Sequence, residues 1–515
     1  MPLREGASRV RGWPELAAAL LAVVLYLPAL GFGFVFDDAA LIAADGRPVA
    51  VGGIVPYRPL RYASYLVDHW LGGSAWVYHA DNILLHALVA ALVVTLSRRL
   101  GSGRLAALAG GLLVACHPLS VETAAYVAGR RDLLCAVFGL AALLVCHSGR
   151  LAWTMLLVLL AAASKESALV FLAPLAAMTV LRPGSPGRSH SSDSSERSDG
   201  PGSQRLVATA AVGLAGVAGL ALAVVYGAIG PWAPSFDLVG FAFAGHVAAH
   251  YLASLFGLHA LAPEYPQLLV IAASLQRGDA MATLAGSAAM LVLSAGVIAS
   301  LVACLRSARP GPAARRRFGP WAGASPEVAF VFAWTMAGLV ALAVWGGLHE
   351  PGVDRHAALL LPALGVALAQ LLSRLSAWSP APWQHAGAAA AALMLAVLAV
   401  QTRSQMEVWR SERTLWMHAA AGPSPSPRAH ANLARVLAED GRYGAAARHL
   451  GRAIAADPDD PLLYLGRAAV RCAERRPAGA RRDLEQARRH GAAEELLEGL
   501  AHDCSPLSSP PDVAS

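Results

Sequence analysis

The chain has 515 residues, of which 56% are hydrophobic and 15% charged, a balance too apolar for an ordinary soluble protein. Its formal charge of +7 does not indicate a nucleic acid partner, because the arginines sit in short loops between apolar runs, where they act as topology signals. The six cysteines form no CxxC pair, which argues against a structural zinc or a redox couple.

A spanning helix needs about 20 apolar residues rising about 1.5 Å each, and the apolar runs, taken in chain order, predict about eleven spans. The first runs from Trp13 to Phe34 and follows Arg4, Arg9 and Arg11, so the N-terminus is expected in the cytoplasm. No small-residue cleavage site follows it, so it is expected to be an uncleaved helix rather than a signal peptide. Further spans are expected near 81–97, 105–116, 133–146, 151–163 and 167–181. Residues 183–204, rich in Ser, Pro, Gly and charge, carry too little apolar surface to fold and read as a cytoplasmic linker between membrane halves 1–182 and 205–403. The second half has runs near 206–228, 283–305, 327–346, 356–373 and 386–402. The run at 241–258, with His246 and His250, is assigned to the outer interface or to a re-entrant helix. As a full span it would turn the loop carrying Arg306, Arg309, Arg315, Arg316 and Arg317 outward. The expected fold is an all-α polytopic membrane bundle with its C-terminus outside.

Residues 404–515 are polar and hold a 34-residue unit from Pro427 to Asp460. Leu433, Ala434, Gly441, Tyr443, Ala446, Leu450, Ala453 and Pro458 stand at the offsets of a tetratricopeptide repeat. A poorer copy over 461–494 supplies Tyr464, Ala468, Ala480, Leu484 and Ala487, and a degenerate unit has room around Trp409 to Pro423. Stacked helix pairs of this kind form an α-solenoid with a concave face suited to a peptide; bracing of the membrane domain is the alternative use. Cys472 and Cys504 lie in this tail and could pair in an oxidising compartment. The other four cysteines, Cys116, Cys135, Cys146 and Cys304, are expected as core filler.

The chemically expensive residues gather in the expected outer loops. Asp37 and Asp38 follow the first span; one such carboxylate can take a proton from an acceptor hydroxyl while its neighbour orients it, although a solvated acidic pair is the plain alternative. The next outer loop carries His117, Glu122, Arg130, Arg131 and Asp132. Charge at membrane depth costs about 2.5–3.5 kcal/mol per group at a helix centre, so such a set is usually paired and functional. Arginine forks well onto a lipid phosphate, while a structural Glu122–Arg130 bridge is the competing reading. Lys165 is the only lysine in the chain and stands beside Glu166, a compact point charge where every other basic position is arginine. His349, Glu350, Asp354 and Arg355 form a further outer cluster, and Arg58 lies in the first outer loop. His349 has no second histidine at ligand spacing, so a metal centre is not expected.

At these residues the sequence resembles the transmembrane and tetratricopeptide-repeat-containing O-mannosyltransferases and their bacterial relatives, within the polyprenyl-phosphate-sugar-dependent GT-C class. The likeness runs through FVFDD at 34–38, YRPL at 57–60, HADNILLHAL at 79–88, HPLSVETAAYVAGRRDLL at 117–134, SKES at 164–167 and DRHAALLLPALG at 354–365. The last motif reads Asp-Arg-His where the family more often shows Glu-Arg-Tyr. The resemblance implies a polyprenyl-phosphate-monosaccharide donor, serine or threonine acceptors on proteins, and no metal or other cofactor. It casts Asp37 as general base with Asp38 supporting it, and Arg130, Arg131 and Lys165 on the donor phosphate. Arg58, His117, Glu122, Asp132, Glu166, Asp354 and Arg355 take supporting places. The bacterial inner membrane or the endoplasmic reticulum would be its site, with the repeats on the extracytoplasmic side. Rival readings are a same-class transferase acting on a lipid or glycan, and a membrane-anchored repeat scaffold for envelope assembly. A transporter is disfavoured, because its charges would lie near the midplane rather than at one surface.

Overall fold

The computed structural model describes residues 12–49, 58–181, 237–258, 261–262, 265–307, 326–349, 354–378, 380–422 and 425–503. The linker 183–204, the expected span at 206–228 and the arginine-rich loop after Ser307 lie outside them. The described residues are helical apart from turns and one isolated bridge between Ile42 and Pro48. The chain divides into two compact units, Met1–Leu261 with Leu268–Glu407, and Ala262–Gln267 with Val408–Ser515.

In the first unit the helices are α1 (Trp13–Tyr26), α2 (Asp38–Leu41), α3 (Pro59–Trp70), α4 (Ala75–Arg99), α5 (Arg104–Cys116), α6 (Val121–Ala124), α7 (Arg130–His147), α8 (Leu151–Ser164) and α9 (Leu172–Leu181). They are followed by α10 (Leu238–Leu255), α11 (Pro266–Gln276), α12 (Ala280–Ser307), α13 (Pro326–His349), α14 (Asp354–Ala358), α15 (Leu361–Trp378) and α16 (Ala381–Val408).

Among the described residues six stretches are long and apolar enough to cross a membrane: Trp13–Gly31, Ala75–Arg99, Leu238–Leu255, Ala280–Ala299, Asp354–Ala377 and Pro382–Val408. A seventh results if Arg104–Cys116 and Pro118–Ala124, bent by 53°, form one broken span. The expected eleven are therefore not confirmed: the expected span at 206–228 lies outside the described residues, and some of the described runs are broken or short. Pro118 cannot continue α5, so that run breaks where it was expected to exit. The runs near 151–163 and 167–181 give apolar helices of 17 residues or fewer. A helix of 14 residues rises about 21 Å, against a hydrocarbon core of about 30 Å. Helix α7 opens on Arg130, Arg131 and Asp132, which shortens its apolar part. The run at 241–258 also departs from expectation: α10 meets the length and composition of a span and packs along α12 and α13. An added span inverts the sidedness of everything after it, so counting loop arginines does not orient the second half.

Small residues set the close approaches in this bundle. Ala18, Ala22, Ala87, Ala90, Ala107 and Ala115 form one core where α1, α4 and α5 meet, the packing that apolar surroundings favour because backbones can come near each other. At the crossing of α5 and α15 the contact is backbone to backbone: a Cβ on Gly110 would run into the Gly365 carbonyl, and one on Gly365 into that of Gly110. Cys116, Cys135 and Cys146 are buried.

The second unit contains α17 (Glu412–Ala421), α18 (Pro427–Glu439), α19 (Tyr443–Ala456), α20 (Pro461–Ala473), α21 (Pro477–Arg489) and α22 (Glu494–Asp503), each packed on the next. Pro461 opens α20 34 residues after Pro427 opens α18, and the same interval separates Tyr443 from Pro477. Ser426 and Asp460 cap those two prolines' helices by accepting from the Ala429 and Leu462 N–H groups. Ala446, Ala453, Ala480 and Ala487 are buried at the helix contacts. Cys472 is disulfide-bonded; its expected partner Cys504 lies outside the described residues.

Replacing Gly110 by valine should lower the melting midpoint of the detergent-solubilised protein, because overpacking against a carbonyl costs on the order of 1–3 kcal/mol. A thermal-shift measurement in which Gly110→Val melts with the wild type would show that α5 and α15 do not cross this closely.

Candidate functional site

The acidic doublet lies between α1 and α3, and its two members face different surroundings. Phe36 takes a left-handed φ of 58°, which turns the chain so that Asp38 begins α2 with its carboxylate inward. That group is fully buried. It accepts from the Val35 N–H at 3.1 Å and from the Ala128 N–H at 2.8 Å. Burial pushes the Asp38 carboxyl up to about 7, with the Asp37 charge adding to the rise and the amide donors opposing it. Asp37 is half-buried, and its carboxylate accepts no hydrogen bond among the described residues. Its N–H donates to the Tyr126 hydroxyl at 3.3 Å. Tyr126 is buried, and the charges of Asp38, Asp37, Arg355 and Arg131 all bear on it.

Arg130 and Arg131 open α7 and diverge in the same way. Arg130 is sealed from solvent. It donates through Nε to Asn82 Oδ1 at 2.7 Å, through Nη2 to the Tyr78 carbonyl at 2.6 Å, and through Nη1 to Asp68, with Asp81 at 3.1 Å. Its guanidinium also lies 4.8 Å from the Tyr65 ring centroid. Helix α3 supplies part of this cage because Arg61, Tyr65 and Asp68 share one face and are buried, so the helix turns a polar stripe inward. Arg131 is 7% exposed; its nearest acid is Asp132, 3.7 Å from Nε. Its guanidinium makes no hydrogen bond among the described residues, and the buried Nε has no partner. Lys165 occupies the break between α8 and the 3-10 turn Glu166–Phe171, in extended backbone. Its ammonium donates to Asp132 Oδ1 at 2.5 Å, while Asp132 Oδ2 is left without a hydrogen bond.

Two further ion pairs close the cluster. Arg58, with a left-handed φ of 58° ahead of α3, forks onto Glu166. Arg355 gives both its backbone N–H and Nη1 to Glu122, at 3.0 and 2.8 Å; Glu122 is thus bound to Arg355, not to Arg130. Asp354 accepts from the Ser254 hydroxyl at 2.9 Å and lies 3.7 Å from His250. His117 accepts from the Leu119 N–H at 3.2 Å and turns Nε2 to the Leu255 carbonyl at 3.1 Å. The His349 side chain and Glu350 lie outside the described residues.

Every other expected site residue therefore belongs to one buried polar region. The sequence did not single out Asp68, Tyr65 and Tyr126, which carry no charge pattern of their own, nor Tyr251, whose hydroxyl meets His356 Nδ1 at 3.1 Å. Tyr251, Ser254 and His250 come from α10, the helix that arginine counting had placed at the interface. Among the described residues no group of three or more His, Cys, Asp or Glu side chains is placed to hold a metal.

No family model and no solved structure matches this chain. Curated relatives do. Protein O-mannosyl-transferase Tmtc2 of Drosophila melanogaster is 38% identical over 138 residues, 23% of this chain and 15% of that protein. The chain is similar to the Tmtc protein O-mannosyl-transferases. Tmtc1 of the same fly is 34% identical over 190 residues, 32% of this chain and 22% of its own length. Human TMTC2 is 34% identical over 151 residues, 25% of this chain and 18% of its length. The matched stretches thus span about a fifth or less of these Tmtc relatives.

Removing Arg130 should cost on the order of 3–5 kcal/mol, since Asp68 and Asn82 would be left buried without their partner. Arg131→Ala should leave the melting midpoint unchanged or raise it, because an unbonded buried charge is removed. Equal midpoints for the two variants would contradict the contrast between the neighbouring arginines. Asp38 sets a pH dependence. A carboxyl that holds its proton more tightly folded than unfolded contributes its stability fully below about pH 4, and loses it as pH rises through about 7. Melting curves taken across that window should show a downward slope, which Asp38→Asn makes shallower.

Proposed function

We propose that this chain is a GT-C-type membrane glycosyltransferase that moves a mannose-like monosaccharide from a polyprenyl-phosphate donor to serine or threonine hydroxyls of extracytoplasmic proteins. The observation that carries the proposal is the unbonded Asp37 carboxylate, whose N–H meets the Tyr126 hydroxyl, together with a buried basic pair, Arg131 and Lys165, that keeps unused donors. The Tmtc relatives are named for protein O-mannosyl transfer, which supports the same reaction class.

The chemistry needs only positioning and removal of one proton. Asp37 takes the proton of the acceptor hydroxyl as its oxygen attacks the anomeric carbon. The bond from that carbon to the phosphate oxygen breaks, and its electron pair remains on the phosphate. Arg131, with no hydrogen bond to give up, and Lys165, with two of its three N–H donors beyond Asp132, hold the added charge. Attack opposite the leaving group inverts the anomeric configuration. Asp38, Arg130 and the pairs Arg58–Glu166 and Arg355–Glu122 fix the loops that carry these groups. The 34-residue helix register of the second unit supports its reading as tetratricopeptide repeats, whose groove would hold an extended acceptor chain.

Asp37→Asn in the full-length protein should reduce transfer at least about 10²-fold, with membrane insertion and melting midpoint unchanged. Transfer at the wild-type rate would remove Asp37 as the base.

A further inference from the structure

Within the second unit the two 34-residue copies differ at one register. His430 of α18 and His449 of α19 meet where their helices pack: the ring centroids are 5.2 Å apart, and Nδ1 stands 3.2 Å from Nδ1. His430 is buried. The residues 34 positions later are Tyr464 of α20 and Asp483 of α21. There the helices are joined by ion pairs, because the buried Asp483 accepts from Arg467 Nη2 at 2.8 Å and from Arg471 Nη1 at 2.6 Å. Tyr464 stacks on His490 with centroids 5.3 Å apart, and His490 has a carboxylate beside it, Asp459 at 3.5 Å. One copy is thus closed by two imidazoles and the other by a carboxylate held between guanidiniums.

We infer that the His430–His449 contact is an acid-sensitive clasp, which holds α18 against α19 near neutral pH and opens when both rings are protonated. A hydrogen bond between two Nδ1 atoms needs one ring to donate and the other to accept. A first added proton can go to an Nε2 and leave that bond intact. A second converts the accepting Nδ1 into a donor, so the bond is replaced by two like charges in contact. The surroundings do not offset them. Arg452 acts on both rings and Arg448 on His449, while no carboxylate among the described residues acts on either. On the packed neighbours, Glu412 and Arg413 of α17 are engaged with Arg435 and Asp440, and Arg467 and Arg471 of α20 with Asp483. His418 on α17 and Arg428 on α18 complete the titratable and charged groups of α17 and the first turn of α18. Burial, then Arg452, lowers His430 from the usual imidazole value; burial, then His430, Arg452 and Arg448, lowers His449. Such groups bind protons less tightly folded than unfolded, so their stability is complete above about pH 6.5 and is lost as pH falls below it. The clasp stands apart from the transferase chemistry and ties the packing of the first copy to the acidity around the tail.

Hydrogen–deuterium exchange of the full-length protein in nanodiscs reads both copies in one sample, with labelling times scaled to the intrinsic exchange rate at each pH. Between about pH 7.5 and about pH 5, exchange in α18 and α19 should speed up about tenfold relative to α20 and α21, the factor that follows when one histidine binds its proton about ten times less tightly in the folded chain. His430→Leu, at the position where the second copy buries Tyr464, should abolish this acid response. His449→Gln keeps an uncharged donor and acceptor opposite His430 and should weaken it; if the leucine variant does not fold, the glutamine variant carries the test alone. Unchanged relative exchange of α18 and α19 in acid, equal acceleration in all four helices, or a wild-type acid response in either folded variant would each overturn the clasp.

Discussion

Arg130 is closed off from solvent, and a guanidinium in that position persists only where several acceptors surround it. Much of the buried polar region follows from meeting this demand. Asn82, which receives one Arg130 donor, gives its own amide to the Tyr126 carbonyl at 2.9 Å. That bond fixes the loop whose Ala128 N–H reaches Asp38. Asp68 and Tyr65 bring α3 over the same point, and the Tyr78 carbonyl adds α4. Thus a buried charge on α7 helps place Asp38, whose carboxylate meets the Ala128 N–H 90 residues further along the chain.

The two charged doublets share one pattern. In Asp37–Asp38 and in Arg130–Arg131 one member is enclosed and bonded while its neighbour keeps unused hydrogen-bonding capacity. Consecutive residues at the start of a helix project in different directions, so one side chain can anchor the segment while the next faces the space where a substrate would lie. The anchored member fixes the backbone that carries the open one. Lys165 follows a related logic: Asp132 holds its ammonium in place by one hydrogen bond and leaves the others available.

The sequence reveals the charged loops because ionised groups between apolar runs are costly and therefore conspicuous. It also reveals the repeat period, since a 34-residue interval survives in the spacing of Pro427 and Pro461. It does not reveal which aspartate or arginine of a doublet turns inward, because that depends on the left-handed Phe36 and on partners as distant as Asn82 and Ala128. The span count is left unconfirmed for a different reason. Hydropathy registers the apolar runs on either side of Lys165 but not that each is too short to cross, and it places α10 by sign counting rather than by the neighbours that α10 packs against. Tyr126 and Asp68 carry no motif of their own and are recognised only through what they touch.

The crossing of α5 and α15 shows how differently two parts of one helix can tolerate change. Where side chain meets side chain, a larger residue on one helix can be answered by a smaller one opposite. At Gly110 and Gly365 the opposing atoms are carbonyl oxygens, which no substitution can trim. Neither glycine has a compensating partner, so sequence drift at this point is closed off in both helices at once, while exposed positions such as Leu105 and Leu371 a few residues away remain open to it.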